Sequence, residues 1–346
     1  MSVRPIIREE ALTMDLKKAA RSAILGIAVA DAVGVPVEFC SRESLRQEPV
    51  TGMRGYGTHD QKPGTWSDDT SMTLALMDSL AEKGFDIEDQ MRRYVDWLWD
   101  AKYTAWDEVF DVGGTVKSAI FRYCKGTPVA ECGEDGELYC GNGSLMRTLP
   151  LALYLHGIGC GGLNDVTSAL IHASSAVTHA HPRCLIACDI YCAIAFELCI
   201  GGSLQESIQN GVRKSFFFYN SRPEYEGELN QFTSLLTIGT WPEDMIKSGG
   251  YVLDTLQAAL WCLLNSDSYA NCILKAVNLG GDTDTTAAVA GGLAGLYYGE
   301  DSIPSSWMDA LAKREYIIRM SEAFAEKCLG SMTEDADALS HHNDGN

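Results

Sequence analysis

The sequence predicts an all-α protein folded as one compact unit, and three observations carry that prediction. Apolar residues recur at the helical period through nearly the whole chain, and alternating strand patterns are scarce. No Pro/Ser-rich linker divides the 346 residues. Two short acidic clusters of similar composition, Gly64–Thr70 and Gly280–Thr286, lie far apart in the chain. If they share one site, the helices between them belong to the same unit.

The elements follow in order. Leu16–Val33 reads as a helix whose small residues (Ala20, Ala23, Gly26, Ala28, Ala30) permit close packing. Ser71–Lys83 follows the first acidic cluster with Met72, Leu74, Leu76 and Leu80 at helical spacing. Further helices are predicted around 88–101, 114–124, 144–156, 163–178, 183–200, 204–215, 229–237, 252–265, 268–278, 286–298 and 305–328. The Gly- and Glu-rich residues Glu134–Leu138 read as an exposed loop. Residues 1–14 form an N-terminal extension ahead of the helical domain, 15–332. Residues 333–346 are polar, lack an apolar face and are predicted to be a disordered tail, in which the His341-His342 pair is incidental.

Composition narrows the function. A 46% hydrophobic content supports a sizeable core. No uninterrupted apolar run approaches the roughly 20 residues that span a bilayer, so no membrane role is expected. Twelve cysteines without a visible secretory signal predict reduced thiols and a cytoplasmic location. Cys184, Cys188 and Cys192 line one helical face, where they suit packing and cannot wrap a tetrahedral zinc. A net charge of −20 argues against generic nucleic-acid binding.

The chemistry concentrates in the acidic clusters. Ser67-Asp68-Asp69-Thr70 and Asp282-Thr283-Asp284-Thr285-Thr286 each join two carboxylates to hydroxyls at the start of an apolar helix. Oxygen donors of this kind suit hard cations such as Mg²⁺ and Mn²⁺. Each residue alone also makes a good helix cap. A cap needs one such side chain, however, whereas adjacent carboxylates repel and a cation offsets that repulsion.

Other constellations are weaker. Glu38, in Gly34-Val35-Pro36-Val37-Glu38-Phe39, is either an exposed or salt-bridged acid or a buried carboxyl tuned for proton transfer. Asp111-Val112-Gly113-Gly114-Thr115 and Gly141-Asn142-Gly143-Ser144-Leu145-Met146-Arg147 open helices with glycines that let a phosphate or ribose approach the backbone. His179 and His181, in Thr178-His179-Ala180-His181-Pro182, are ligands or turn-capping residues.

These motifs, in this order, resemble the ADP-ribosylglycohydrolase family, including its bacterial ADP-ribosyl-dinitrogen reductase hydrolase type. The resemblance runs from about Lys17 to about Gly299 through GIAVADAVGVPVEF, GTWSDDTSM, GGTVKSA, NGSLMR, THAHP, GYVLDTL and NLGGDTDTTAAVAGGLAG. It implies a compact orthogonal multi-helix fold with a binuclear metal cleft holding two Mg²⁺ or Mn²⁺ ions. Ser67, Asp68 and Asp69 would supply one half of the metal shell, and Asp282, Asp284 and Thr285 the other. Many family members carry Thr at the position of Ser67, and the hydroxyl is kept. Glu38 or Asp69 would manage the proton, and Asp111 would orient the substrate. Gly113, Gly114, Asn142, Gly143, Ser144, Met146 and His179 would bind it, with Tyr251 stacking on adenine.

The implied reaction is hydrolysis of ADP-ribose from a modified protein side chain, with arginine favoured over serine or small esters. Three rival readings stand beside it: a phosphatase using the same oxygen-rich centre, a non-catalytic ADP-ribose binder, and an immunity protein. The last would oppose a cognate ADP-ribosyltransferase toxin; the extension, with Arg4, Ile6, Ile7 and Arg8, is then either a disordered tail or a plug for such a partner's site.

Overall fold

A computed structural model of the chain describes residues 6–341, with side chains from 16 to 330. Arg4 and His342 lie outside the described residues, as do the side chains of Ile6, Ile7, Arg8 and His341. The helices run in the order α1 (Ile6–Gly34), α2 (Arg42–Gln47), α3 (Asp68–Lys83), α4 (Ile87–Asp100), α5 (Gly114–Cys124), α6 (Leu149–Gly157), α7 (Asp165–Ala176) and α8 (Pro182–Ile200). They continue with α9 (Leu204–Tyr219), α10 (Glu226–Leu229), α11 (Val252–Leu264), α12 (Tyr269–Asn278), α13 (Thr283–Tyr298), α14 (Ser305–Ala310) and α15 (Arg314–His341). Among the described residues there is no β-strand, and backbone pairing is confined to isolated bridges.

The small residues of α1 and α13 place these two helices against each other at the centre, which makes them the most extensively packed pair. α15 and α3 flank α1, while α11 and α12 cover α13. Gly34 shows how tight this seam is: a Cβ there would lie 2.4 Å from the Asp284 Cα. Any larger side chain would push the second acidic cluster away from the end of α1. Buried hydroxyls tie the centre together, with Tyr269 donating to the Gly26 carbonyl (2.6 Å) and Tyr191 to that of Val289 (2.9 Å).

Leu16–Val37 is long and apolar enough to cross a bilayer by length and composition, although Lys17, Lys18, Arg21 and Asp31 interrupt its apolar run. Nearly all of it is buried against other helices of this protein, which accounts for its apolar composition. α1 itself begins at Ile6, and α15 reaches His341, so helix extends into both terminal segments. The helix expected from residue 144 starts only at Leu149. Gly141–Thr148 instead forms turns, closed by Arg147 donating to the Gly143 carbonyl and to the Thr178 hydroxyl (2.8 Å). The single helix expected over 305–328 is interrupted at Leu311–Lys313. There Ala312 N–H donates to the Gly64 carbonyl (3.0 Å), and Lys313 adopts a positive φ. Residues 229–237 form mainly a 3₁₀ segment, Asn230–Leu236. Cys184, Cys188 and Cys192 are buried along α8.

Candidate functional site

Both acidic clusters enter their helices earlier than the apolar pattern suggests, so the carboxylates occupy the first turns of α3 and α13. Ser67 caps α3, its hydroxyl accepting from Asp69 N–H at 3.3 Å. In the second cluster, Gly281 lies at φ +76°, and a Cβ there would meet the Ser248 carbonyl at 2.4 Å. Its backbone bonds to the turn after Glu38: Phe39 N–H donates to the Gly281 carbonyl (2.7 Å), and Gly281 N–H to that of Cys40 (2.8 Å). This stitching sets Glu38 beside Asp282 and Asp284.

The two clusters do meet. Thr285 donates its hydroxyl to Asp69 Oδ1 at 3.3 Å. Carboxylate oxygens of Asp31, Asp69 and Asp284 lie within 4.8 Å of one another, as do those of Glu38, Asp282 and Asp284. A third group joins Glu38 and Asp111 to His59. Among the described residues, Asp69 Oδ2, Asp282 Oδ1 and Asp284 Oδ2 are buried and accept no hydrogen bond. Buried carboxylate oxygens without donors are costly unless a cation sits among them. The donor set is all hard oxygen apart from one imidazole, which fits Mg²⁺ or Mn²⁺.

Electrostatics match the crowding. Burial pushes Glu38 up to about 7, with Asp111 and Asp282 adding repulsion and the His59 hydrogen bond opposing it. Burial and neighbouring carboxylates hold Asp68, Asp69 and Asp284 well above the usual range, and Asp111 is raised for the same reasons. His59 bonds to Glu38 through Nε2, and that bond raises the imidazole.

Asp31 and His59 were missed by sequence reasoning. Fully buried in α1, Asp31 accepts from Ser67 N–H (2.9 Å), Thr70 N–H (3.1 Å) and the Thr70 hydroxyl (2.6 Å). It therefore orients the first turn of α3, and burial lifts its own carboxyl to about 6. An acid inside the small-residue run Gly26-Ile27-Ala28-Val29-Ala30-Asp31-Ala32 was the available signal, since a buried charge needs a purpose. His59 carried no comparable signal.

The remaining residues divide. Asp68 is buried and accepts from Gly113 N–H, so Gly113 serves the acidic cluster. Gly114 opens α5 and is exposed. Asn142 donates to Asp282 Oδ2 (2.8 Å) and the Thr255 hydroxyl (2.9 Å), which commits its amide to holding Asp282. Ser144 is buried against Cys188, and Met146 lies in the core. Gly143 lies against the buried His179 ring, whose Nδ1 pairs with the Thr178 hydroxyl (2.8 Å). Burial and Arg147 lower His179 to about 3, so the ring is neutral. His181 caps α8, accepting from Arg183 N–H at 3.1 Å. Tyr251 is partly buried next to the Gly141 backbone, with the Arg183 guanidinium over its ring at 5.7 Å.

An all-α frame around converging carboxylates defines a helical protein with an acidic, cation-suited site. The ADP-ribosylglycohydrolase family model matches residues 12–334, and the chain belongs to that family. It is 34% identical over 301 residues to the ADP-ribosyl-[dinitrogen reductase] glycohydrolase of Rhodospirillum rubrum, covering 84% of this chain and 90% of the relative. It is 32% identical over 307 residues to the ADP-ribosylarginine hydrolase Tri1 of Serratia proteamaculans, covering 88% and 78%. A solved structure of an ADP-ribosylglycohydrolase-related protein complex superposes with a TM-score of 0.73 at 30% identity, over 91% of this chain and 99% of that one. The protein is accordingly an enzyme, a glycohydrolase of ADP-ribose linkages.

Proposed function

We infer that the enzyme removes ADP-ribose from arginine side chains of modified proteins, using a divalent-cation centre. The observation that carries this reading is the meeting of the two acidic clusters through Thr285 and Asp69, with buried carboxylate oxygens left unpaired around it. The arginine linkage is supported by the relatives named for it.

Asp69, Asp282 and Asp284 would hold Mg²⁺ or Mn²⁺, two ions as the family resemblance implies, with Ser67, Asp68, Thr285 and Asp31 beside them. When bound, such ions supply Lewis acidity and a more acidic water. Hydrolysis adds the water oxygen to the anomeric carbon, breaks the carbon–nitrogen bond and leaves the water's proton on the guanidine nitrogen. Glu38 suits the handling of that proton better than Asp69 does. Its carboxyl shares a hydrogen bond with the His59 ring, a route by which a proton can pass to and from the site. Asp69 is fully buried between Asp31 and Asp284, a holding position. Asp111 stands beside Glu38 and would orient the cationic leaving group. Tyr251 is the residue that the family resemblance offers for stacking on the adenine of ADP-ribose, with the Arg183 guanidinium over its ring.

The test offers an arginine-ADP-ribosylated protein, with Mn²⁺ or Mg²⁺, to wild type and to Asp282→Ala and Glu38→Gln. Release of ADP-ribose by wild type alone, abolished by chelator, is the expected result. ADP-ribose binding without release would move the enzyme to another linkage. Release of inorganic phosphate from simple monoesters instead would make it a phosphatase.

A further inference from the structure

The two acids grouped with His59 each have an aromatic neighbour in sequence: Phe39 follows Glu38, and Phe110 precedes Asp111. The fold brings these pairs together around His59. The His59 ring lies 6.1 Å from Phe39 and 5.2 Å from Phe110, tilted by 59° and 47°. Phe39 is 67% exposed, so packing does not account for it. Its backbone also takes a φ of +64°, a conformation that costs a bulky side chain and that glycine would adopt freely. The Phe39 N–H bond to the Gly281 carbonyl holds it there. An exposed aromatic is thus kept, at an energetic cost, beside the His59 ring that bonds to the Glu38 carboxyl.

A guanidinium is planar: its edge pairs with carboxylates, and its face stacks on aromatic rings. Carboxylates flanked by aromatic faces offer both surfaces at once. We propose that Phe39 and Phe110 are specificity-determining residues that stack on the guanidinium of the substrate arginine while Glu38 and Asp111 address its edge. This inference rests on the arginine reading above. A serine or ester leaving group has neither the charge nor the planar face, so the same collar would disfavour it.

The experiment measures kcat/KM on ADP-ribosylated agmatine, a small guanidine, for Mn²⁺-loaded wild type, Phe39→Leu, Phe39→Trp and Phe110→Leu. ADP-ribose affinity is measured alongside by calorimetry. The expected result is a roughly tenfold loss of kcat/KM in each leucine variant, the size of a cation–π contact. ADP-ribose affinity should stay within about twofold of wild type, and Phe39→Trp should retain activity. Leucine variants as active as wild type would overturn the proposal alone. So would a parallel fall in ADP-ribose affinity, which would make the aromatics supports of the acidic site. A wild type that binds ADP-ribose but leaves ADP-ribosylated agmatine intact would overturn the arginine reading, and the proposal with it.

Discussion

If the acidic site holds the proposed cation, removing it should make the protein's stability depend on pH in a way that the bound ion suppresses. Glu38 shifts from 4.5 to about 7 and Asp31 from 3.8 to about 6 on folding, burial being the largest cause in each. At 1.36 kcal/mol per unit, each shift is worth about 3 kcal/mol, and the two are not additive because the carboxyls share one site. Both groups are raised on folding, so the folded protein binds more protons than the unfolded chain between roughly pH 4 and 7. The stability they contribute is present below that window and is lost as pH rises through it. His179 works in the opposite direction: lowered from 6.5 to about 3, it costs stability as pH falls below 6.5. Its contribution is common to the cation-free and cation-loaded protein, so the difference between them reads the acidic site, with His59 titrating alongside the carboxyls it bonds. Thermal unfolding in chelator and in excess Mn²⁺, from about pH 5 to about pH 8, reads that difference. The Mn²⁺-induced rise in Tm should grow with pH up to about 7 and level off above it. A rise that is constant across the window would refute the claim that these carboxyls hold protons until a cation replaces them.

Two further outcomes are expected. Asn142→Ala should weaken Mn²⁺ binding by about 10- to 100-fold, because it frees Asp282 Oδ2 from its amide donor; titration calorimetry checks this, and unchanged Mn²⁺ affinity with weakened ADP-ribose binding would return Asn142 to the substrate. Phe39→Gly should stabilise the fold by about 1 kcal/mol in denaturant unfolding, since it relieves a positive φ at an exposed side chain, even as turnover falls.

The sequence was most informative where chemistry is local. Asp68, Asp69, Asp282 and Asp284 were legible because two acids and their hydroxyls fall within one helical turn, and the site needs that density. The small residues of α1 and α13 announced close packing for the same reason. What stayed hidden depends on distant partners. Asn142 looked like a phosphate-loop amide because the sequence carries no trace of Asp282 lying 2.8 Å away. Helix starts were misplaced by a few residues because the apolar period begins after the acids, whereas the hydrogen-bonded turn already includes them. The break at Leu311–Lys313 depends on a bond to Gly64 that no local pattern encodes.

Glu38 shows why the hidden part matters most for mechanism. On sequence, an acid after Val35-Pro36-Val37 is open to two readings, exposed or buried. The fold decides between them through the Gly280-Gly281 turn, whose backbone bonds to Phe39 and Cys40 draw Glu38 inward beside Asp282. The residue suited to carry the proton is therefore fixed by the same turn that fixes the second acidic cluster. Widening that turn should disturb cation binding and proton transfer together. A Gly281→Ala change meets the Ser248 carbonyl at 2.4 Å and is also strained by its positive φ. The coupling follows from backbone geometry, because one short loop holds both functions in register.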